Sequence, residues 1–255
     1  MHEISDARVE HSTTSRTLAQ PVSAFQERPA RLSRTVSAPS YRDQVTIREP
    51  FEAAAAVPIQ AAAIPPRPVY PLARVCFVVV DVETTGWHPE ESGITEIGAV
   101  RFGHGTPAAE FSALVNPGAP IPENITALTG ISDSMVRQAP PAGAVLPGFL
   151  AFARGCVVAA HNAPFDIGFL TAACGSARLP WPAFQVVDTA VLARTVMRET
   201  EVPDCKLATL AGFFQTRTRP CHRALPDAKA TAEVLRALLG RLASAGVQTL
   251  AEISA

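Results

Sequence analysis

The run VCFVVVDV, Val75–Val82, constrains the fold of this chain more than any other segment. It holds five valines, a phenylalanine and a cysteine around a single aspartate. Apolar and polar residues do not alternate, so the strand it predicts needs cover on both faces, and helices supply that cover in α/β proteins. ITEIGAVRF (Ile94–Phe102) and AAEFSALVN (Ala108–Asn116) predict two more strands, with Gly103, Gly105 and Pro107 as the turn between them. CVVAA (Cys156–Ala160) and VVDT (Val186–Thr189) bring the number to five. Helices are expected over Ile131–Arg137, Ala144–Ala153 and Phe165–Ala173, then from Thr189 to near Arg198, and over Lys206–Phe214 and Asp227–Leu239. The fold class expected is α/β, a mixed five-stranded sheet flanked by helices.

Composition changes near residue 73. The first 72 residues hold 9 of the 23 prolines and no glycine. PFEAAAAVPIQAAAIPPRPVYP (Pro50–Pro71) interrupts two alanine runs with proline, which cannot continue a helix. Residues 1–72 are therefore expected to be a disordered tail and linker, with a segment around Val22–Tyr41 able to dock on a replication or repair protein. Residues 73–243 form the expected domain and 244–255 a short C-terminal tail, with no room after the last helix for a polymerase-binding extension.

Charge and cysteine content narrow the function classes. The 22 Lys and Arg against 23 Asp and Glu argue against broad coating of nucleic acid, though not against gripping one strand end. Five scattered cysteines without a C-x-x-C pair disfavour disulfides and structural zinc and point to a reducing, cytoplasmic setting. No apolar run is long enough for a membrane span, and the start of the chain lacks a secretory-signal layout.

The chemistry is concentrated in acids at element ends. Asp81 and Glu83 lie two apart at the end of the first strand, so both leave one face. Crowded carboxylates suit a hard cation, although an isolated D-x-E is most often a turn acid beside a solvated one. HNAPFD (His161–Asp166) opens a helix after the fourth strand, and HRALPD (His222–Asp227) puts a histidine on the loop into another helix, with Pro226 as a start signal.

DVETTG (Asp81–Gly86), HNAPFD and HRALPD together resemble the three motifs of the DEDD-type 3′–5′ exonucleases, in the variant with histidine in the third motif. NPGAPIPENITALTGIS (Asn116–Ser132) is similar to the segment joining the first two motifs in bacterial proofreading domains of the DNA polymerase III epsilon type. The resemblance implies a ribonuclease-H-like fold and two divalent metal ions, Mg²⁺ or Mn²⁺, held by Asp81, Glu83, Asp166 and Asp227. It makes His222 the general base toward water and a nucleoside 5′-monophosphate the product of each cut.

The same resemblance places Thr84, Trp87, Leu128, Thr129, Gly130, Asn162 and Phe165 around the 3′-terminal nucleotide. Arg217, Arg219 and Arg223 beside His222 are candidates for the phosphate backbone, with solvated surface the alternative. His88, His104 and His161 need no catalytic role. The partner expected is a single-stranded or frayed 3′ end of DNA, in proofreading or repair. Two other readings stand beside it: an exoribonuclease of the same family, and an inactive nucleic-acid-binding module. Pro226 departs from the family pattern without disturbing Asp227.

Overall fold

The structure is a computed structural model that describes residues 45–48, 71–103 and 106–253. Its strands are β1 (Val45–Arg48), β2 (Cys76–Thr84), β3 (Ile94–Gly103), β4 (Thr106–Leu114), β5 (Val157–Ala160) and β6 (Val186–Asp188). They form one sheet in the order β1-β4-β3-β2-β5-β6. β2, β3 and β4 pair antiparallel, while β5 and β6 join β2 in parallel, which gives the expected mixed five-stranded sheet. β1 adds a sixth strand, antiparallel to β4 at the edge.

The helices are α1 (Glu123–Thr129), α2 (Asp133–Val136), α3 (Ala142–Phe152), α4 (Ala163–Ser176), α5 (Thr189–Val196), α6 (Leu207–Phe213), α7 (Ala224–Ser244) and α8 (Leu250–Ile253). β2 is covered on both faces, as its composition requires. Val78, Val80 and Val82 pack with Leu146 and Phe149 of α3 and Phe169 and Leu170 of α4. Phe77 and Val79 pack with Leu192 of α5, Leu210 of α6 and Leu235 and Leu238 of α7. Burying each such side chain contributes roughly 1.5–3 kcal/mol, so a two-sided strand anchors both layers.

Several boundaries differ from the sequence expectation. β1 falls inside the segment read as tail: VTIR alternates apolar and polar residues, but over four positions between Pro39 and Pro50 that pattern is too short to stand out, and pairing with β4 seats it. The rest of that segment, 1–44 and 49–70 with the docking stretch at 22–41, lies outside the described residues, as do His104 and Gly105. Gly103 and Pro107 belong to the β3–β4 ladder rather than to the turn, with Pro107 tolerated beside an irregularity at Arg101/Phe102. Within the short C-terminal tail, Leu250–Ile253 forms a helix. Leu250 is buried with the α7 layer, and the Leu72 N–H donates to the Gln248 carbonyl at 2.8 Å, tying the far end of the domain to its beginning. The helix expected over Ile131–Arg137 is the short α2, Asp133–Val136. α1, absent from the sequence expectation, starts after Pro122 and ends on Gly130 in the left-handed region, φ 70°.

One close approach aligns the two halves of the site. Gly98 on β3 pairs with Asp81 on β2. A Cβ at Gly98 would lie 2.2 Å from the Ala224 carbonyl carbon and the Leu225 nitrogen, so only glycine lets the first turn of α7 lie on the sheet there. Replacing Gly98 by Ala is expected to destabilise the domain by roughly 1–3 kcal/mol, or about 2–4 °C of Tm per kcal/mol. A thermal melt unchanged from wild type would show that α7 does not need this contact.

Candidate active site

The acids gather at the C-terminal end of β2, where three elements converge. Asp81 and Glu83 share the β2 face that α7 covers, and the β2–β3 register shifts between Glu83 and Thr84, ending the regular ladder beside them. Asp227 arrives from α7 and Asp166 from α4, each as the fourth residue of its helix. The start of α7 is one turn earlier than expected. Ala224 is its first residue, and Pro226 sits in that turn, where no intrahelical partner exists for the N–H it lacks.

Carboxylate oxygens of Asp81, Glu83 and Asp227 all lie within 4.8 Å of one another. Asp166 stands slightly apart: its Oδ1 accepts the Val82 N–H at 3.0 Å, which leaves the second oxygen available. Asp227 accepts the Cys221 N–H at 2.8 Å and the His222 N–H at 3.2 Å, so this carboxylate also shapes the loop before its own helix. His222 is exposed, with φ 56°, a strained backbone for a residue with a side chain. All four acids and His222 line one cleft of about 200 Å³, with Thr84, Trp87, Leu128, Thr129, Asn162 and Phe165 on its other walls.

Electrostatics make this a site for cations. Burial, then the charges of Asp166, Glu83 and Asp227, hold the Asp81 carboxyl well above its usual range. Glu83 is pushed up to about 8 by burial and then by Asp227 and Glu96. Asp166 is also pushed up to about 8, by burial against the opposing pull of the Val82 N–H. Asp227 is raised by burial, offset in part by the N–H groups of Cys221 and His222. Among the described residues, no Lys or Arg forms an ion pair with any of the four acids. Four crowded carboxyls with no Lys or Arg in direct ion-pair contact among the described residues fit a divalent ion with oxygen ligands.

The walls of the cleft are aromatic and apolar. Trp87 is 67 % exposed and Leu128 43 %, an unusual surface position for large apolar side chains. The Trp87 ring stands 6.2 Å from Phe165, which in turn lies 5.0 Å from Phe169 and so rests on the core. Asn162 begins α4 in the left-handed region at φ 68°. Two of the expected contacts are placed differently. Gly130 caps α1 and is not part of the cleft wall. Arg223 does not reach into the cleft either, because its Nη2 and Nε donate to Glu96 Oε1 and Oε2 at 2.7 and 2.9 Å. Arg217 and Arg219 flank the His222 loop; the Arg217 N–H donates to Glu233 and Arg219 Nη1 to the Ala211 carbonyl.

Two contributors escape the sequence reading. Asp188, at the end of β6, accepts N–H groups of Asn162 (3.2 Å), Ala163 (3.1 Å), Ala190 (2.8 Å) and Val191 (3.2 Å), and so ties the starts of α4 and α5 with one carboxylate. Its signal is Asp before Thr at a strand end, the usual N-cap pattern. His161 also lines the cleft, its Nδ1 2.9 Å from Thr189 Oγ1, with burial lowering its pKa.

Known proteins resemble this chain. The family model RNase_T, described as an exonuclease, matches residues 78–235. A protein of Mycobacterium tuberculosis (strain CDC 1551 / Oshkosh), provisionally named a bifunctional exonuclease/endonuclease, is 47 % identical over 200 residues, 76 % of this chain and 31 % of its own length. A DNA polymerase III of PolC type from Caldanaerobacter subterraneus subsp. tengcongensis is 42 % identical over 178 residues, 70 % of this chain and 12 % of its own. The chain thus spans a third or less of these relatives. The structure of exonuclease X with 5′-overhanging duplex DNA superposes with a TM-score of 0.56 at 27 % identity, covering 70 % of this chain and 99 % of that one.

The raised carboxyls carry a stability signature. Glu83 and Asp166 titrate near 8 when folded, against ordinary values of 4.5 and 3.8, so between these limits the folded state binds more protons than the unfolded. Ion-free protein should therefore lose stability as pH rises from about 4 to about 8. Added Mg²⁺ or Mn²⁺ should restore it most at the alkaline end, raising Tm by roughly 5–10 °C at a hundredfold excess over Kd. Differential scanning fluorimetry at pH 5.5 and 8 tests this, and an equal or larger shift at pH 5.5 would contradict it.

Proposed function

The chain belongs to the RNase_T family of exonucleases, the DEDD-type nucleases its motifs resemble, and from that premise we propose a 3′–5′ exonuclease that acts on DNA in proofreading or repair. The carrying observation is the convergence of Asp81, Glu83, Asp227, Asp166 and His222 in one cleft, with an aromatic wall opposite. Asp81, Glu83 and Asp227 would hold divalent ions, Mg²⁺ or Mn²⁺, with Asp166 contributing through the oxygen that Val82 leaves free. Such ions, two in this reading, supply charge neutralisation at the scissile phosphate and leaving oxygen.

The chain's own groups do the rest. Trp87, Phe165 and Leu128 offer stacking and apolar contact to the last nucleotide, which orients its phosphate toward the acids without selecting a base. Thr84, Thr129 and Asn162 complete that wall, and Gly130 serves it indirectly by ending α1. His222, exposed on its strained loop, takes the proton from the attacking water, and a nucleoside 5′-monophosphate leaves. Its setting is the cytoplasm, and its partner a single-stranded or frayed 3′ end. Among the described residues no helix is long and apolar enough to cross a membrane.

Protein with Mg²⁺ or Mn²⁺ should shorten a 5′-labelled single-stranded DNA stepwise and stop with EDTA; no loss of nucleotides from DNA or RNA would defeat the proposal. Matched DNA and RNA oligonucleotides, with and without a 3′ mismatch, decide the substrate, and faster cleavage of RNA would overturn the DNA reading. Asp81→Ala should leave no detectable turnover. His222→Ala should retain ion binding and lower kcat by roughly 10²–10⁴-fold; unaltered turnover would remove it as the base.

A further inference from the structure

Glu96 is a nearly buried carboxylate, 4 % exposed, that the chemistry above does not use. It stands directly across from Glu83 in the β2–β3 ladder, two residues before Gly98 and on the same face. One of its oxygens accepts the Ala224 N–H at 3.0 Å and the Arg223 Nε at 2.9 Å; the other accepts Arg223 Nη2 at 2.7 Å. Arg223 occupies the N-cap of α7 and makes no side-chain cap of its own. A strand carboxylate therefore does the capping, where a negative charge also favours the N-terminal end of a helix dipole. The fork-to-carboxylate geometry fixes direction as well as distance.

What this cap holds is the His222 segment. Cys221 and His222 donate to Asp227, Arg223 and Ala224 to Glu96, and Arg217 and Thr218 to Glu233. His222 has a left-handed backbone, φ 56°, between flanks pinned by these contacts. We propose that Glu96, through its paired contacts with Arg223 and the Ala224 N–H, is the positioning residue that sets His222 against the acids of the cleft. This rests on the exonuclease reading of the site, and it assigns Arg223 to the loop instead of to substrate phosphate.

The test uses the full chain with Glu96→Gln and Arg223→Gln, made alone and in a His222→Ala background. The amide introduced by Glu96→Gln keeps the shape but loses the charge and one acceptor. Arg223 is partly exposed, so its variant should fold. Each single variant should lower kcat on a single-stranded DNA by roughly 10–100-fold, as losing the support of a site residue does, with KM within about twofold. In the His222→Ala background the further loss should shrink below about threefold, since coupled residues do not add. Hydrogen exchange of the 219–227 segment should quicken in both variants while the sheet stays protected. Unchanged kcat, or an equal loss with and without His222, would overturn the positioning role. If the wild-type protein proves inactive on every oligonucleotide, the exonuclease reading fails on its own. Exchange then decides between a loop that Glu96 holds and one it does not.

Discussion

Mutual repulsion among buried carboxylates is the constraint on which the rest of this structure depends. Asp81, Glu83 and Asp227 have oxygens within 4.8 Å of each other at the bottom of the cleft. Left alone they would drive β2 and α7 apart. The domain keeps them together with apolar packing on both faces of β2 and with backbone N–H groups aimed at the acids from Val82, Cys221 and His222.

The two sheet faces divide this work. Asp81 and Glu83 belong to the α7 face, whereas α4 covers the opposite face and reaches the same edge with its fourth residue, Asp166. Glycine at 98 lets α7 lie against the strand that pairs with β2, and Asp188 pins α4 through the Asn162 and Ala163 N–H groups. Each helix therefore begins at a contact that sets its rotation. A helix turned by one residue would move its aspartate by about 100° around the axis, away from the cleft.

Much of this is legible in the sequence, because local chemistry and period suffice for it. The valine run is a strand buried on both sides wherever it is placed, and D-x-E at its end puts two acids on one face. Legibility fails where tertiary contacts overrule local signals. β1 alternates apolar and polar residues over only four positions, too few to stand out, and is seated by pairing with β4. Arg223 beside a candidate catalytic histidine reads as a phosphate contact until its cross-sheet partner 127 residues away is known. α1 has start and stop residues in Pro122 and Gly130, but its seven residues are too few to show a helical period inside a connecting segment.

Composition, period and motif order by themselves determined an α/β fold, two same-face acids on the strand at Val75–Val82, and two further aspartates at helix starts. Those properties depend on neighbours within a few residues. Only the tertiary structure decided that three of the acids meet while Asp166 spends one oxygen on Val82, that Arg223 serves Glu96, and that the helix carrying Asp227 begins a turn before it. These depend on which strand lies beside which and on how closely α7 can approach Gly98. No local pattern records a distance between segments that lie far apart along the chain.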